Sequence, residues 1–538
     1  MAETKREIER KYEATGETRL PDLTRVPGVS AVVDRGVTEL DAVYYDTPDL
    51  RLAADAITLR RRTGGDDEGW HLKFPVASGI RDEIRAPLAD TLPGELAGLL
   101  RSRVRGGEVV PVVRLRSARD VRHLVDAGGT LLAELSVDTV RAERLPGGAE
   151  ATWTEIEVEL ADDADEAILD ATEKRLAKAG IRASSSASKL ARALSETTPS
   201  ADATASGAGK RARRRPADAE DGAPSAEAGA RGAAPRGADT APAPGTAGHA
   251  VLDYVREQAD AIVELDPAVR RDLPDAVHQL RVACRRLRSA LKSYRKVLDR
   301  DVTDPVGAEL KWLAGELGIA RDQEVMTERL RDRIDALPRS LRLGPVRGRQ
   351  RTWSAARGRS GRRRALAALD SARYLVLLDT LDELLADPPV RKAAARDARK
   401  VLARAVLKDH DRLATRVERA LALDPGRDLD VALHEARKAA KRARYAGDAA
   451  KPTLGKPARK FAKRVKSVQS LLGEHQDAVV AREALRELAT QAHAAGESAF
   501  TWGLLHGREE AAAEAAEREL PGVWAKASAR EIRAALTR

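Results

Sequence analysis

Between Ser195 and Ala250 the chain runs for 56 residues without a single Val, Ile, Leu, Met, Phe, Tyr or Trp. Such a stretch buries too little apolar surface to offset its chain entropy, so it reads as a disordered linker that no hydrophobic core can span. The 538 residues therefore divide into an N-terminal domain over 1–195, a linker over 196–249 and a C-terminal domain over 250–538. Within the linker, Lys210-Arg211-Ala212-Arg213-Arg214-Arg215 reads as solvated charge.

The two halves carry opposite charge. Residues 1–198 have a net charge of −7 and residues 251–538 a net charge of +16, so an anionic partner is expected on the second half. That half has neither the aromatic interleaving of single-strand binders nor a nucleic-acid-binding motif, which disfavours nucleic acid and points to another polyanion. Cys284 is the sole cysteine and is expected to pack in a core; one cysteine excludes an intrachain disulfide and a cysteine-built zinc site. The N-terminus lacks an apolar leader, and no stretch approaches the roughly 18 apolar residues of a membrane span. The expectation is a soluble, cytoplasmic protein with no membrane contact.

The first half alternates apolar and polar residues with period two. Glu7–Lys11, Ile57–Arg62, Trp70–Lys73, Leu131–Asp138 and Thr154–Leu160 are separated by turn residues such as Thr63-Gly64-Gly65-Asp66 and Gly128-Gly129, which predicts antiparallel strands. Helices are expected near 94–102 and 164–180. On these strands Glu7, Glu9 and Lys11 share a face, as do Arg60 and Arg62, His71 and Lys73, and Glu155, Glu157 and Glu159. A charged sheet face ordinarily meets solvent. Here the signs are segregated by strand, and a closed barrel with its apolar side outward under helices would enclose both sets. Enclosed carboxylates need divalent cations and enclosed Arg and Lys need a polyanion, a combination that describes metal-bound phosphates.

The ordered set Glu7-x-Glu9-x-Lys11, Tyr45-Asp46-Thr47, Leu59-Arg60-x-Arg62, Leu72-Lys73, Glu155 to Leu160 and Ser188-Lys189-Leu190 resembles the CYTH superfamily of triphosphate tunnel enzymes over about 1–195. The resemblance implies an antiparallel β-barrel with flanking helices whose lumen binds a triphosphate. It implies Mg²⁺ or Mn²⁺ on Glu7, Glu9, Asp138, Glu157 and Glu159, with Glu155 ambiguous. Lys11, Arg60, Arg62, Lys73, Arg119 and Lys189 would neutralise the phosphates. Arg114 and Arg116 compete with Arg119 for the lumen, because the register of that segment is open. Glu7, Glu9, Lys11 and Lys73 are the expected catalytic centre of metal-assisted hydrolysis. The same clamp serves cyclisation of ATP, so a class IV type adenylate cyclase and a non-catalytic binder remain alternatives.

After the linker the hydrophobic period becomes 3.6, and Ala-, Leu- and Arg-rich segments predict helices broken near Pro274, Pro305, Pro338, Pro388-Pro389, Pro425 and Pro452. An internal repeat appears: the helix with His278, Arg281, Arg285, Arg288 and Lys292 is matched 156 residues later by His434, Arg437, Lys441 and Arg444, with Arg286 and Lys438 beside them. Leu317-Gly318 with Asp322 is matched by Leu472-Gly473 with Asp477. Each stripe is cationic and free of acids, unlike a solvated helix face that mixes signs. These motifs resemble the CHAD family over roughly 250–538. The resemblance implies an all-α pair of helical bundles whose basic helices bind inorganic polyphosphate, with His278 and His434 contacting the polymer or orienting the helix, and an association with polyphosphate granules. The basic segment Arg347–Arg364 either joins that face or is a solvated loop.

Overall fold

The computed structural model describes residues 3–198 and 242–537, which fall into two units. The Lys210–Arg215 run lies outside the described residues.

In the first unit eight strands, β1 (Glu3–Ala14), β2 (Ala31–Asp46), β3 (Thr58–Thr63), β4 (Gly69–Ala77), β5 (Ile80–Ala86), β6 (Val110–Val125), β7 (Leu131–Arg144) and β8 (Glu150–Leu160), close into an antiparallel barrel in the order β1-β5-β4-β3-β2-β6-β7-β8. Helices α1 (Arg51–Ala54), α2 (Gly94–Val104), α3 (Ala167–Lys178) and α4 (Lys189–Glu196) attend it. The barrel is inverted. Leu59, Trp70, Leu72 and Ile84 point outward and pack under Leu96 and Leu100 of α2, while Leu135, Ile156 and Val158 pack under Leu169 and Leu176 of α3. Because side chains alternate along a strand, every residue between these apolar positions is driven into the lumen. Followed toward one end, those inward positions turn apolar as Ala42, Val113, Leu115, Val140 and Trp153, where Leu190 and Ala193 of α4 plug the barrel. Ser188 caps α4 by accepting from the Ala191 N–H, which fixes the helix start and sets Lys189 at the lumen's edge.

The second unit is helical: α5 (Ala247–Arg270), α6 (Ala276–Ser293), α7 (Arg300–Asp335), α8 (Val346–Leu369), α9 (Ala372–Ala386), α10 (Ala398–Leu421), α11 (Arg427–Ala449), α12 (Lys451–Leu454), α13 (Lys456–Ala494), α14 (Phe500–Ala527) and α15 (Arg530–Ala535). The pairing α5–α6–α7–α8 recurs as α10–α11–α13–α14, the structural form of the sequence repeat. Leu280, Cys284, Leu287, Leu310 and Leu317 of one repeat and Leu433, Ala440, Phe461, Val465 and Leu472 of the other share one buried core.

Three expectations need correction. Ala247 and Gly248, counted with the apolar-free stretch, are buried in α5; small side chains suit that spot, since a Cβ on Gly248 would lie 2.8 Å from Pro242. Pro305 does not end a helix but lies inside α7, near its start, where its ring forfeits one backbone hydrogen bond while Val306, Leu310 and Leu313 are held by the core. Arg347–Arg364 is no loop: it lies in α8, and Arg347, Arg349, Arg357, Arg362 and Arg364 pair with carboxylates.

Candidate functional site

The barrel lumen holds a cavity of about 460 Å³ with two walls of unlike charge. Glu7, Glu9, Lys11, Glu157 and Glu159 come from β1 and β8, which pair with Glu9 opposite Glu159 and Lys11 opposite Glu157. Arg60 and Arg62 of β3, Lys73 of β4, Arg119 of β6 and Lys189 of α4 face them. Glu7 takes a hydrogen bond from Lys73, Glu9 lies 3.2 Å from Lys11, and Glu157 receives Lys11. Arg119 forks onto Asp138 at 2.7 and 2.8 Å and reaches Glu157 at 2.8 Å. Lys189 lies 2.9 Å from Asp138 and 2.6 Å from both Glu155 and Glu157.

These contacts set the protonation states. Burial raises the Glu7 carboxyl above its ordinary value despite Lys73. Burial works the same way on Glu9, Asp138 and Glu157, but Lys11 overrides it at Glu9, Lys189 and Arg119 at Asp138, and all three cations at Glu157, so these carboxylates stay below their ordinary values. Lys189 is buried, yet Asp138, Glu157 and Glu155 lift its ammonium well above the usual lysine range. Carboxylate oxygens of Asp138, Glu155 and Glu157 lie within 4.8 Å of one another, and a donor set of oxygens alone suits a hard divalent cation. Glu155 Oε1 is buried against the Lys189 ammonium at 2.6 Å, a contact that such an ion would replace. The residues present thus fit a divalent metal.

The competition in β6 is decided by alternation. Arg119, Val121 and His123 line the cavity; Arg114 and Arg116, at even positions, point to the outside and pair with Asp41 at 2.9 and 3.7 Å. Both are removed from the lumen set. Asp138 and Glu155 reach it only through Lys189 and Arg119, the Glu155 carboxylate also accepting from Trp153 Nε1 at 2.7 Å. Sequence reasoning passed over Glu83, which is fully buried and takes contacts from His71 at 2.9 Å, Lys73 at 3.4 Å and Arg60 at 3.8 Å. The signal was present, because Arg81, Glu83 and Arg85 share one strand face. It also passed over Tyr44, whose hydroxyl accepts from Arg60 at 3.4 Å; burial would raise that phenol, but Arg60, Lys189 and Lys73 draw it below its ordinary value.

In the helical unit the two repeated motifs explain each other. Arg281 of α6 lies across Gly318 of α7, where a Cβ would approach its guanidinium to 3.0 Å, and bonds Asp322 one turn on at 2.7 Å. Arg437 of α11 repeats this over Gly473 of α13, with Asp477 at 3.6 Å. At Gly318 the missing Cβ lets the flat guanidinium rest closely on the neighbouring helix, whereas at Gly473 a Cβ would meet Arg437 at an ordinary 3.5 Å. Arg281, Arg285, Arg437 and Lys441 converge from α6 and α11; burial together with Arg285, Arg437 and Arg281 pushes Lys441 down to about 7. Such a concentration of cations stores repulsion that an anion would relieve. Arg288 donates to the Gly307 carbonyl at 3.1 Å, Arg286 has a buried Nε without a partner, and burial lowers Lys292. Arg444 stacks on Tyr445 and lies 3.5 Å from Asp448, whereas Lys438 is exposed and bound to Glu435 at 2.7 Å. His434 contacts Gln476; burial lowers both His278 and His434. Asp430, His475 and Glu517 tie α11, α13 and α14 together, with Arg482 also on Asp430.

Comparison with known proteins agrees with both units. The CYTH domain model matches residues 5–194 and the CHAD domain model residues 253–486. The uncharacterized protein MT2285 of Mycobacterium tuberculosis (strain CDC 1551 / Oshkosh) is 36% identical over 536 residues, covering 97% of this chain and 96% of that protein. PptA from Streptomyces chartreusis is 24% identical with a TM-score of 0.44, covering 52% of this chain and 99% of its own. The CHAD domain from the plant Ricinus communis is 28% identical with a TM-score of 0.43, covering 55% of this chain and 98% of its own. With an inverted, charge-lined barrel followed by two repeated cationic bundles, the chain belongs to the family of proteins that join a CYTH domain to a CHAD domain.

Proposed function

We propose that the barrel hydrolyses inorganic triphosphate, or a closely related triphosphate, with Mg²⁺ or Mn²⁺, and that the basic helices hold inorganic polyphosphate in the cytoplasm. The observation that supports this most is the segregation of charge in one lumen, carboxylates of β1 and β8 against cations of β3, β4, β6 and α4. Glu7, Glu9, Asp138, Glu157 and Glu159 would hold the metal, with Glu155 behind them. Bound there, the metal supplies charge neutralisation and activation of water for in-line displacement. Arg60, Arg62 and Lys73 bind the phosphates from the opposite wall, and Arg119 and Lys189, which now neutralise Asp138, Glu155 and Glu157, would turn to the phosphates where those carboxylates hold a metal. In the helical unit the convergence of Arg281, Arg285, Arg437 and Lys441 supplies repeated, sequence-blind contacts for a phosphate polymer. The linker keeps polymer and barrel at a raised effective concentration.

The test uses the full chain, wild type and Glu7→Ala/Glu9→Ala, with Mg²⁺ or Mn²⁺, and follows phosphate released from tripolyphosphate, thiamine triphosphate and ATP. Metal-dependent release that falls at least a hundredfold in the double variant is expected. Cyclic AMP from ATP would replace hydrolysis by cyclisation, and binding of tripolyphosphate without turnover would make the barrel a receptor.

A further inference from the structure

His71 shares the inward strand face of Arg60 and Lys73, and its surroundings set two demands that a neutral ring cannot meet together. It is 2% exposed on β4, directly opposite Arg60 of β3 and Arg85 of β5. Its Nδ1 lies 2.9 Å from the Glu83 carboxylate and its Nε2 lies 2.9 Å from the Asp67 carbonyl oxygen. Both partners are acceptors, and a neutral imidazole has only one N–H, so only the imidazolium satisfies both. Against this, burial, with Arg60 and Arg62, pushes the ring down to about 4. The ring is held neutral by its burial and, beyond that, by Arg60 and Arg62, while its hydrogen-bond geometry is prepared for a proton.

The part of that opposition that comes from Arg60 and Arg62 is charge a triphosphate would take. Glu83 is engaged by Lys73, Arg60 and Arg85 as well as by His71, and its carboxyl is held far below its ordinary value, with burial overridden chiefly by His71 and then Lys73 and Arg60. Lys73 also holds Glu7, so it is shared between the two walls. When phosphate oxygens draw Arg60 and Lys73 into the lumen, Glu83 is left buried with fewer counter-charges, a state that is disfavoured unless another cation replaces them. The nearest group able to become one is His71.

We propose that His71 is a positioning residue that takes up one proton when a triphosphate enters the barrel, replacing on Glu83 the charge that Arg60 and Lys73 transfer to the phosphates. The proton comes from solvent, moves to the ring nitrogen that lacks one, and returns when product leaves; no covalent bond is made or broken. Binding is thereby coupled to pH. In the window between the low value of the free ring and its raised value in the complex, each unit of rising pH weakens binding tenfold through this group. The proposal rests on the reading that a triphosphate occupies the lumen.

Two measurements on the full chain test it. The first titrates tripolyphosphate, in EDTA so that nothing turns over, into protein with ¹⁵N-labelled histidine, with His71→Asn identifying the resonance. The His71 nitrogens are expected to move from neutral to imidazolium shifts at pH 7; a ring that stays neutral at saturation overturns the proposal. The second compares wild type with His71→Asn, which keeps a donor toward Glu83 but cannot titrate, in kcat/KM for tripolyphosphate from pH 5.5 to 7.5. The ratio of wild type to variant is expected to fall with rising pH, approaching tenfold per unit and expressed in KM rather than kcat. A pH-independent ratio overturns the proposal and makes His71 merely structural. A wild type without turnover would instead refute the hydrolase reading, leaving the NMR titration to decide the proton uptake by itself.

Discussion

Lys189 reports on how the lumen is balanced before any ligand arrives. Its ammonium lies within 3 Å of three buried carboxylates, Asp138, Glu155 and Glu157, and Lys189→Met would keep the stem's volume while removing the charge. Removing one partner from a buried ion network costs about 3–5 kcal/mol. For a unit of this size, about 2–4 °C per kcal/mol corresponds to a fall in Tm of about 6–20 °C. The loss should depend on pH with a definite sign. In the wild type Asp138 and Glu157 sit below their ordinary values, so their stabilising contribution is fully present above about pH 4.5 and is lost as pH falls through their depressed folded values. Without Lys189 the crowded carboxylates protonate more readily, so the variant recovers part of its stability at pH 5 and the gap narrows relative to pH 7.5. A divalent ion at 100 times its dissociation constant should return about 2.7 kcal/mol to the variant. Thermal melts of the full chain, read by hydrogen–deuterium exchange on peptides from β7 and β8, isolate the barrel. A Tm within 2 °C of wild type at pH 7.5, or an equal loss at both pH values, would refute the account of a cation-neutralised carboxylate cluster.

Lys441 is shifted the opposite way from Lys189, because its ammonium is crowded by cations rather than balanced by carboxylates. With a folded value near 7, below the ordinary lysine value, the wild-type helical unit loses stability as pH falls from about 10 to 7, by at most about 1.4 kcal/mol per unit. Lys441→Met should flatten that dependence in urea melts, and it should weaken polyphosphate binding and lower the slope of log K against log salt by about one in titrations between 50 and 200 mM salt. Gly447→Ala tests the close approach of α11 to α13, where a Cβ would lie 2.8 Å from the Phe461 ring; overpacking there should cost about 1–3 kcal/mol, seen as a lower urea midpoint with an unchanged m-value.

Much of this molecule was legible before its structure. A stretch empty of large apolar residues separates two units, period two in one half and 3.6 in the other name their elements, and a 156-residue offset names the repeat. The lumen faces were legible too, since alternation alone places Glu7, Glu9 and Lys11 together. Glu83 was missed although Arg81 and Arg85 flank it at the same spacing, because its importance lies in partners that arrive from two other strands, β3 and β4.

The sequence by itself determined which residues alternate, which helices are cationic, and that acids and bases lie on different strands. Those are local properties, set by the spacing of side chains along one strand or one helix turn. Closure of the barrel decided the rest. Only pairing across eight strands turns the charged face inward, sends Arg119 to the lumen and Arg114 and Arg116 outside, and brings Lys189 from a helix after the last strand to carboxylates of β7 and β8. Likewise, that Gly318 exists to seat Arg281 follows only when α6 lies against α7, because a glycine in a helix is explained by what presses on it. Contacts between residues distant in sequence depend on register and closure, which no single segment encodes.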